Sequence, residues 1–294
     1  SSVGRAQLGM SALHPGRLIA ACVLTCVIAG GIIARTRGAA RPPDLRAVLT
    51  TCMDSDMDSV LVQPHSRASK QGAVTGNPRG SLARMLCCLA QQPNVNIVLD
   101  AFMGRGMTAA TLGGCMERVG KQYWRISGFE MDPSTAMRAR SILAHSGLAV
   151  KVLRCGSTLP EQPQHCNLQD IVRPRSATVI QGRLDAHNVQ RLCARSAPDV
   201  VILDPISSVP NEIWAIHAEC RPQFVILNNI NLPDHAGWFK EHLLQAGLWR
   251  EVISGYLEDA NPGGNAQKLH GNASLWAIYE RRRWTLLVRG QSRA

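Results

Sequence analysis

The sequence predicts a doubly wound, mostly parallel α/β sheet that follows an N-terminal transmembrane helix. From about Leu82 onwards, helical and strand patterns alternate, and strands separated by helices imply parallel crossovers in one sheet. Near the start of this alternation, a glycine turn joins an apolar strand to a helix. A separate apolar run at residues 18–34 carries no charged side chain and predicts the membrane helix.

The apolar run lies between Arg17 and Arg35, and its length is at the short end of the about 17–25 residues that span a bilayer. A signal peptide and a buried core helix are the alternatives. We favour a single membrane anchor, and the denser basic residues after the run weakly place the rest of the chain on the cytoplasmic side. The expected organisation is an N-terminal segment, residues 1–45, and one α/β domain, residues 46–294.

The elements of the domain are predicted from apolar periodicity and from turn residues. Continuous apolar runs, such as the one ending at Leu203, indicate strands that are buried on both faces. Gly147 ends one helix, and a loop rich in Pro and Gln separates the two halves of the domain. Helices are predicted at residues 82–91, 108–119, 134–146, 186–195, 211–219 and 236–246, and strands at residues 96–101, 125–130, 149–154, 177–181, 199–203, 223–227, 249–256 and 274–280.

Charge and aromatic content bear on the partners. The net charge of +11 comes mainly from arginine, which suits nucleic acid or an anionic membrane surface. The basic residues are scattered, however, and aromatic residues make up 4% of the chain, too few for a platform that stacks bases. A nucleic-acid partner is therefore not favoured.

The ten cysteines show no CxxC pair and no spacing typical of a metal site. Several, such as Cys87 and Cys88, lie inside apolar patterns. We interpret them as free, buried thiols in a reducing compartment, with a disulfide framework as the alternative.

The glycine turn predicts a site for an adenosine-containing cofactor. Gly104 and Gly106 allow the backbone to approach a ligand at a helix N-terminus, and Glu130 ends the next strand, where an acid can accept hydrogen bonds from a ribose. The glycines alone would also suit a dinucleotide. Asp100 favours S-adenosylmethionine over NAD, because a carboxylate before the turn would repel a pyrophosphate but could hold a cationic amino-acid end.

Further polar side chains follow the later strands. Asp204 closes one strand, and Asn228 and Asn229 close the next, so three oxygen ligands converge at neighbouring strand ends. Such a set suits a hard cation such as Mg²⁺ that keeps some waters. Alternatively, the two asparagines only cap and turn the chain.

These motifs, together with the segments at residues 74–80, 226–233, 255–258 and 276–279, resemble the catechol O-methyltransferase family over about residues 60–280. The resemblance implies a Rossmann-like methyltransferase fold with a seven-stranded sheet and S-adenosylmethionine as cofactor. A form with a single N-terminal membrane span also occurs in that family.

The resemblance also implies roles for particular residues. Val74, Gly76 and Asp185 would help to bind the cofactor, in addition to the residues of the glycine turn. Asp204, Asn228 and Asn229 match the metal ligands, but Asn228 stands where the family has a second aspartate, which should weaken the metal. Glu258 matches the acid that positions the second hydroxyl of the acceptor. The family's lysine base is absent, since Ile206, Ser207 and Ser208 occupy that loop.

The expected reaction is methyl transfer to a small diol or catechol-type acceptor, accelerated mainly by positioning. The lost aspartate and lysine leave a second possibility, a catalytically degenerate, membrane-tethered subunit of a protein complex. The glycine turn and the pair Asp204-Pro205 are also similar to nucleic-acid amino-methyltransferases. Ile206 and Ser207 supply neither the second proline nor the aromatic residue that such enzymes need.

Overall fold

A mixed eight-stranded sheet forms the centre of the described part of this computed structural model. The structure describes residues 44–55, 80–156, 166–168, 171, 173–204, 214–228, 237–256 and 283–290. The residues from Leu45 onwards belong to one unit. The strands are β1 (Ile97–Asp100), β2 (Arg125–Glu130), β3 (Ala149–Arg154), β4 (Ser176–Gln181), β5 (Val200–Leu203), β6 (Phe224–Leu227), β7 (Trp249–Tyr256) and β8 (Arg283–Arg289).

Two helices precede the first strand, and the later helices alternate with the strands, as the sequence pattern predicts. They are α1 (Leu45–Asp54), α2 (Gly80–Ala90), α3 (Met107–Arg118), α4 (Pro133–His145), α5 (Ala186–Arg195) and α6 (Gly237–Gln245). The helix predicted at residues 211–219 is a π-helix over Ile216–Cys220 in its described part. None of the described helices is long and apolar enough to cross a membrane. The predicted anchor at residues 18–34 lies outside the described residues.

The strand order is β3-β4-β2-β1-β5-β6-β8-β7. Strands β1 to β6 pair in parallel, whereas β8 runs antiparallel to both β6 and β7. The strands β2 to β4 lie on one side of β1, and β5 to β8 lie on the other side, so the direction of winding reverses between β1 and β5. Open α/β sheets bind ligands at such a reversal, outside the carboxyl ends of the strands. The fold is therefore Rossmann-like, as the sequence predicts.

Two details of the sheet correct the sequence prediction. The sheet has eight described strands rather than the seven that the resemblance implies. The partner of β7 is β8, whereas the sequence prediction placed that strand at residues 274–280, which lie outside the described residues. Both segments carry a short apolar run, and periodicity alone does not distinguish them. Residues 283–289 form the strand that pairs with both β6 and β7, and Trp284 and Leu286 are fully buried in it.

Each face of the sheet carries its own hydrophobic core. Successive side chains of a strand point to opposite faces, so Val98 packs with α1 to α4, while Leu99 packs with α5, the π-helix and α6. Each buried side chain of this size stabilises the fold by about 1.5–3 kcal/mol. With both faces covered, the strands must be apolar throughout, which explains the continuous runs in the sequence.

Four disulfides cross-link the described elements, contrary to the prediction of free thiols. Their Cα–Cα distances lie between 4.2 and 5.8 Å. Cys88 and Cys87 follow each other on α2 but bond to α1 and α3, respectively, because consecutive helix residues point about 100° apart. Sequence spacing could not reveal this, since the pairing depends on which helices are neighbours. The pairs are Cys52–Cys88, Cys87–Cys115, Cys155–Cys166 and Cys193–Cys220.

We predict that these eight cysteines resist alkylation in the unreduced protein even after unfolding in denaturant. Reduction should expose all eight and lower the melting temperature, because a disulfide typically stabilises a fold by about 2–4 kcal/mol. Alkylation with two isotopically distinct reagents, before and after reduction, followed by peptide mass spectrometry identifies the pairs. Labelling of these eight cysteines before reduction would contradict the disulfide assignment.

Candidate functional site

Three carboxylates converge where the strand order reverses. Asp100 is the last residue of β1, Glu130 is the last residue of β2, and Asp204 directly follows β5. β1 lies between β2 and β5, with Asp100 opposite Gly128 on one side and Ile202 on the other. The sequence predicted this convergence, and the electrostatic influence of Asp204 and Glu130 on Asp100 is consistent with it.

The glycine turn connects β1 to α3 in a conformation that needs glycine. Gly104 and Gly106 have φ angles of 52° and 73°, in the left-handed region that other residues rarely adopt. Gly106 directly precedes α3, and a Cβ at this position would lie 3.2 Å from the Cβ of Ala139 in α4. The turn thus presents backbone at the N-terminus of a helix that packs closely against its neighbour, an arrangement suited to close ligand approach.

The half-buried carboxylate of Glu130 lies against this turn. It accepts hydrogen bonds from the backbone N–H groups of Gly104 and Met131, and from that of Asp132 at 2.8 Å. Burial raises the pKa of Glu130, with a smaller contribution from the charge of Asp132, while the backbone hydrogen bonds oppose the rise. The glycine turn and the acid therefore form one site.

Asp100 is the most perturbed acid of the site. Its side chain is only 2% exposed. Burial, followed by the charges of Asp204 and Glu130, raises its pKa to about 8, although the backbone N–H of Phe102 donates a hydrogen bond to it. A positive charge nearby would favour the ionised form of such a carboxyl group. This edge of the sheet is thus suited to a cationic ligand.

Asn228 follows β6 beside Asp204. It is 1% exposed, and its backbone N–H donates to the carbonyl oxygen of Leu203 at 2.9 Å. Its Oδ1 is buried and has no hydrogen-bond partner among the described residues. A buried oxygen without a donor costs about 1–3 kcal/mol, which a metal ion or a donor on a ligand would offset. Asp204 and Asn228 therefore fit a weakly bound divalent cation.

The remaining predicted site residues have different positions. Asp185 caps α5, where its Oδ1 accepts from the backbone N–H of Asn188 at 2.7 Å and its Oδ2 from the side chain of Asn188 at 3.2 Å. Both carboxylate oxygens of Asp185 therefore take part in capping α5. A role of Asp185 in cofactor binding stays a prediction. Val74, Gly76, Asn229 and Glu258 lie outside the described residues. Within the described ranges, no group of three or more His, Cys, Asp or Glu side chains could hold a metal.

Asp132 is a supporting residue that the sequence analysis missed. Its carboxylate caps α4 by accepting from Thr135 N–H at 2.7 Å, and its own N–H donates to Glu130. The signal was present in the sequence as an aspartate followed by Pro133 and, two residues later, Thr135, which is a typical helix start. The N-terminus of α4 therefore positions the carboxylate of Glu130, the last residue of β2.

No protein-family model and no curated protein sequence matches this chain. Similar solved structures are methyltransferases. A putative O-methyltransferase from Klebsiella pneumoniae is 12% identical with a TM-score of 0.46, covering 90% of this chain and 97% of its own. The SAH-bound methyltransferase PaMTH1 from Podospora anserina is 10% identical with a TM-score of 0.45, covering 97% and 100%.

The O-methyltransferase TomG from Streptomyces achromogenes, in complex with SAM, is 15% identical with a TM-score of 0.42, covering 88% of this chain and 95% of its own. O-methyltransferases are thus among the proteins to which this chain is similar, as the sequence resemblance predicts. Because these TM-scores lie below 0.5, the function of this chain must be inferred from its own residues.

We predict that Asp100 makes stability depend on pH. Its pKa of about 8 lies above the unfolded value of 3.8, so the folded state retains the proton longer than the unfolded state. Both states are protonated below about pH 4, and the stability of the wild type should fall as the pH rises from there towards 8. Asp100→Asn removes this dependence, so its stability relative to wild type should rise by at least about 1.4 kcal/mol between pH 5 and pH 8.

Urea unfolding at the two pH values measures this difference. Asp54→Asn, at the exposed end of α1, serves as the matched control and should show no such change. A stability difference between Asp100→Asn and wild type that stays constant with pH would contradict the raised pKa.

Proposed function

We propose that the carboxyl edge of the sheet binds S-adenosylmethionine and that the protein is a methyltransferase. The observation that carries this proposal is the convergence of Asp100, Glu130 and Asp204 beside the glycine turn. S-adenosylmethionine carries a sulfonium, an ammonium and a carboxylate at its methionine end, with a net positive charge, and an adenosine at the other end. A dinucleotide would instead bring a negatively charged pyrophosphate towards the buried acid.

Each group of the site has a role in this proposal. The backbone of Gly104 and Gly106 lies close to the cofactor, and Glu130 accepts hydrogen bonds from the ribose hydroxyls. Asp100 and Asp204 interact with the cationic end, and the bound charge lowers the pKa of Asp100 so that it ionises. The ion pairs would hold the cofactor in one orientation, and such positioning can lower a reaction barrier by about 7–11 kcal/mol.

The proposed reaction is O-methylation of a small diol or catechol-type acceptor. When bound, the cofactor supplies an electrophilic methyl group: its carbon–sulfur bond breaks as a bond to the acceptor oxygen forms, and the hydroxyl proton passes to water. Asp204 and Asn228, with Asn229, would hold a divalent cation that lowers the pKa of that hydroxyl. Asn228 is uncharged, so the cation should bind weakly.

A second candidate function is that of a membrane-tethered interaction subunit that has kept the methyltransferase fold but lost catalysis. Asn228 in place of the family's aspartate, and Ile206, Ser207 and Ser208 in place of its lysine, favour this alternative. In either case we propose that residues 18–34 anchor the chain in a membrane. The four disulfides favour an oxidising compartment for the domain over the cytoplasmic side that the basic residues weakly indicated. Turnover with a catechol, assayed with and without Mg²⁺, distinguishes the two functions.

We predict that Glu130→Ala weakens S-adenosylmethionine binding by about 1.5–3 kcal/mol, the usual contribution of hydrogen bonds to a charged group. Isothermal titration calorimetry of wild type and variant measures the loss. Glu241→Ala, which removes an exposed glutamate of α6, is the matched control and should bind like wild type. Unchanged affinity in Glu130→Ala, or no binding by wild type, would refute the cofactor assignment.

The proposed metal site predicts a gain from Asn228→Asp. Restoring a second carboxylate beside Asp204 should tighten Mg²⁺ binding at least tenfold, or about 1.4 kcal/mol, and raise any methyl transfer. Titration with Mg²⁺ in the presence of cofactor measures the affinity. Asn94→Asp, an exposed position before β1, is the control. Equal affinities of wild type and Asn228→Asp would show that Asn228 does not face the metal.

A further inference from the structure

A basic and aromatic cluster lies at the ends of the strands opposite the candidate site, where the parallel strand β6 begins. Trp249, the first residue of β7, pairs with Arg289, the last residue of β8. The backbone N–H of Arg289 donates to the carbonyl oxygen of Gln223 at 2.9 Å, which places it at the start of β6. We call His217, Arg221, Trp249 and Arg289 the basic cluster.

The side chains of the basic cluster contact one another through the Trp249 ring. The guanidinium carbon of Arg289 lies 5.4 Å from the centroid of this ring, within the range of a cation–π interaction. The ring of His217, on the π-helix, lies 5.9 Å away on centroids. Trp214 contacts the His217 ring edge-on at 5.7 Å. Trp249 thus contacts both Arg289 and His217, and Trp214 contacts His217.

Two polar atoms of the basic cluster are buried without a partner among the described residues. They are Nε1 of Trp249 and Nδ1 of His217. The Trp249 side chain is only 4% exposed, and its indole nitrogen can only donate a hydrogen bond. Nδ1 of a neutral histidine can also donate, in one tautomer. Two buried potential donors therefore lie next to a guanidinium group.

Among the described residues, the positive charges of the basic cluster repel one another and have no acidic partner. Burial lowers the pKa of Arg289, and the charge of Arg221 lowers it further. Burial likewise lowers the pKa of His217, with Arg289 as the second cause. In the described part of the chain, no ion pair joins either arginine to an acid; Glu219 is exposed on the π-helix, and Glu251 pairs with Lys240. His242 contacts Trp214, and Asp199 lies at the same end of the sheet, where its backbone carbonyl accepts from the N–H groups of Gln223 and Phe224.

The local backbone is unusual as well. The π-helix ends at Cys220, and the next residue, Arg221, has a positive φ of 46° although it is not glycine. π-helical turns are rare and are frequently found at functional sites. Here the π-helix carries His217, and the strained residue carries one of the two arginines of the basic cluster.

We propose that the basic cluster binds a phosphate group, at a site separate from the cofactor site and independent of the proposed function. Phosphate oxygens would accept hydrogen bonds from Nε1 of Trp249, Nδ1 of His217 and the Arg289 guanidinium, and their charge would offset the repulsion between Arg221 and Arg289. The phosphate is either free or part of a phosphomonoester ligand.

The test is titration of the full chain with inorganic phosphate at constant ionic strength, followed by calorimetry and by the ¹⁵N–¹H resonance of the Trp249 indole. We expect a saturable shift of this resonance and an affinity that falls at least tenfold in Arg289→Gln. Arg250→Gln, an exposed neighbour on β7, is the matched control and should bind like wild type. Trp249→Phe keeps an aromatic ring but removes the Nε1–H donor, and should also weaken binding.

Titration with phosphoserine separates the two sources, since tighter binding than inorganic phosphate indicates a phosphomonoester ligand. Absence of a saturable shift, or an equal loss in Arg289→Gln and Arg250→Gln, would overturn the proposal. The cooperative thermal unfolding of each variant, followed by circular dichroism, reports whether the domain is folded. Should Arg289→Gln fail to fold, unchanged phosphate affinity in Trp249→Phe would overturn it.

Discussion

The position of β1 between β2 and β5 is the constraint on which the candidate site depends. As the central strand, β1 is covered on both faces by helices, so the acid at its end is buried. Its two neighbours each end at or just before another acid. The electrostatic environment of Asp100 follows directly from this strand order, because a carboxyl group in a poorly solvated position responds strongly to the charges beside it.

The disulfides act on the same part of the fold. Cys52–Cys88 joins α1 to α2, and Cys87–Cys115 joins α2 to α3, the helix that follows the glycine turn. All three helices pack on one face of the sheet. The disulfides therefore cross-link the helices up to α3, which begins at the turn. The backbone N–H of Asp132, the residue before α4, donates a hydrogen bond to Glu130 and so positions its carboxylate. Rigid support of this kind keeps a binding site in one geometry.

The two edges of the sheet have opposite electrostatic character. Asp100, Glu130 and Asp204 lie at the carboxyl ends of the strands. At the opposite ends, Arg289 lies over the Trp249 ring, and the charge of Arg221 lowers the pKa of Arg289. Net charge, at +11, gives no hint of this division. Local potentials of opposite sign attract ligands of opposite charge, so an acidic edge suits a cationic cofactor and a basic edge suits a phosphate.

The sequence by itself determined the features that obey local rules. Gly104 and Gly106 mark a left-handed turn, continuous apolar runs mark buried strands, and the residue after each run marks a strand end. Only the tertiary structure decided which elements are neighbours. The pairing of β8 with β6, the partners of Cys87 and Cys88, the raised pKa of Asp100 and the approach of Arg221 to Arg289 all join residues that are distant in sequence or that face in different directions. Such contacts depend on the packing of the whole chain, which no local pattern encodes.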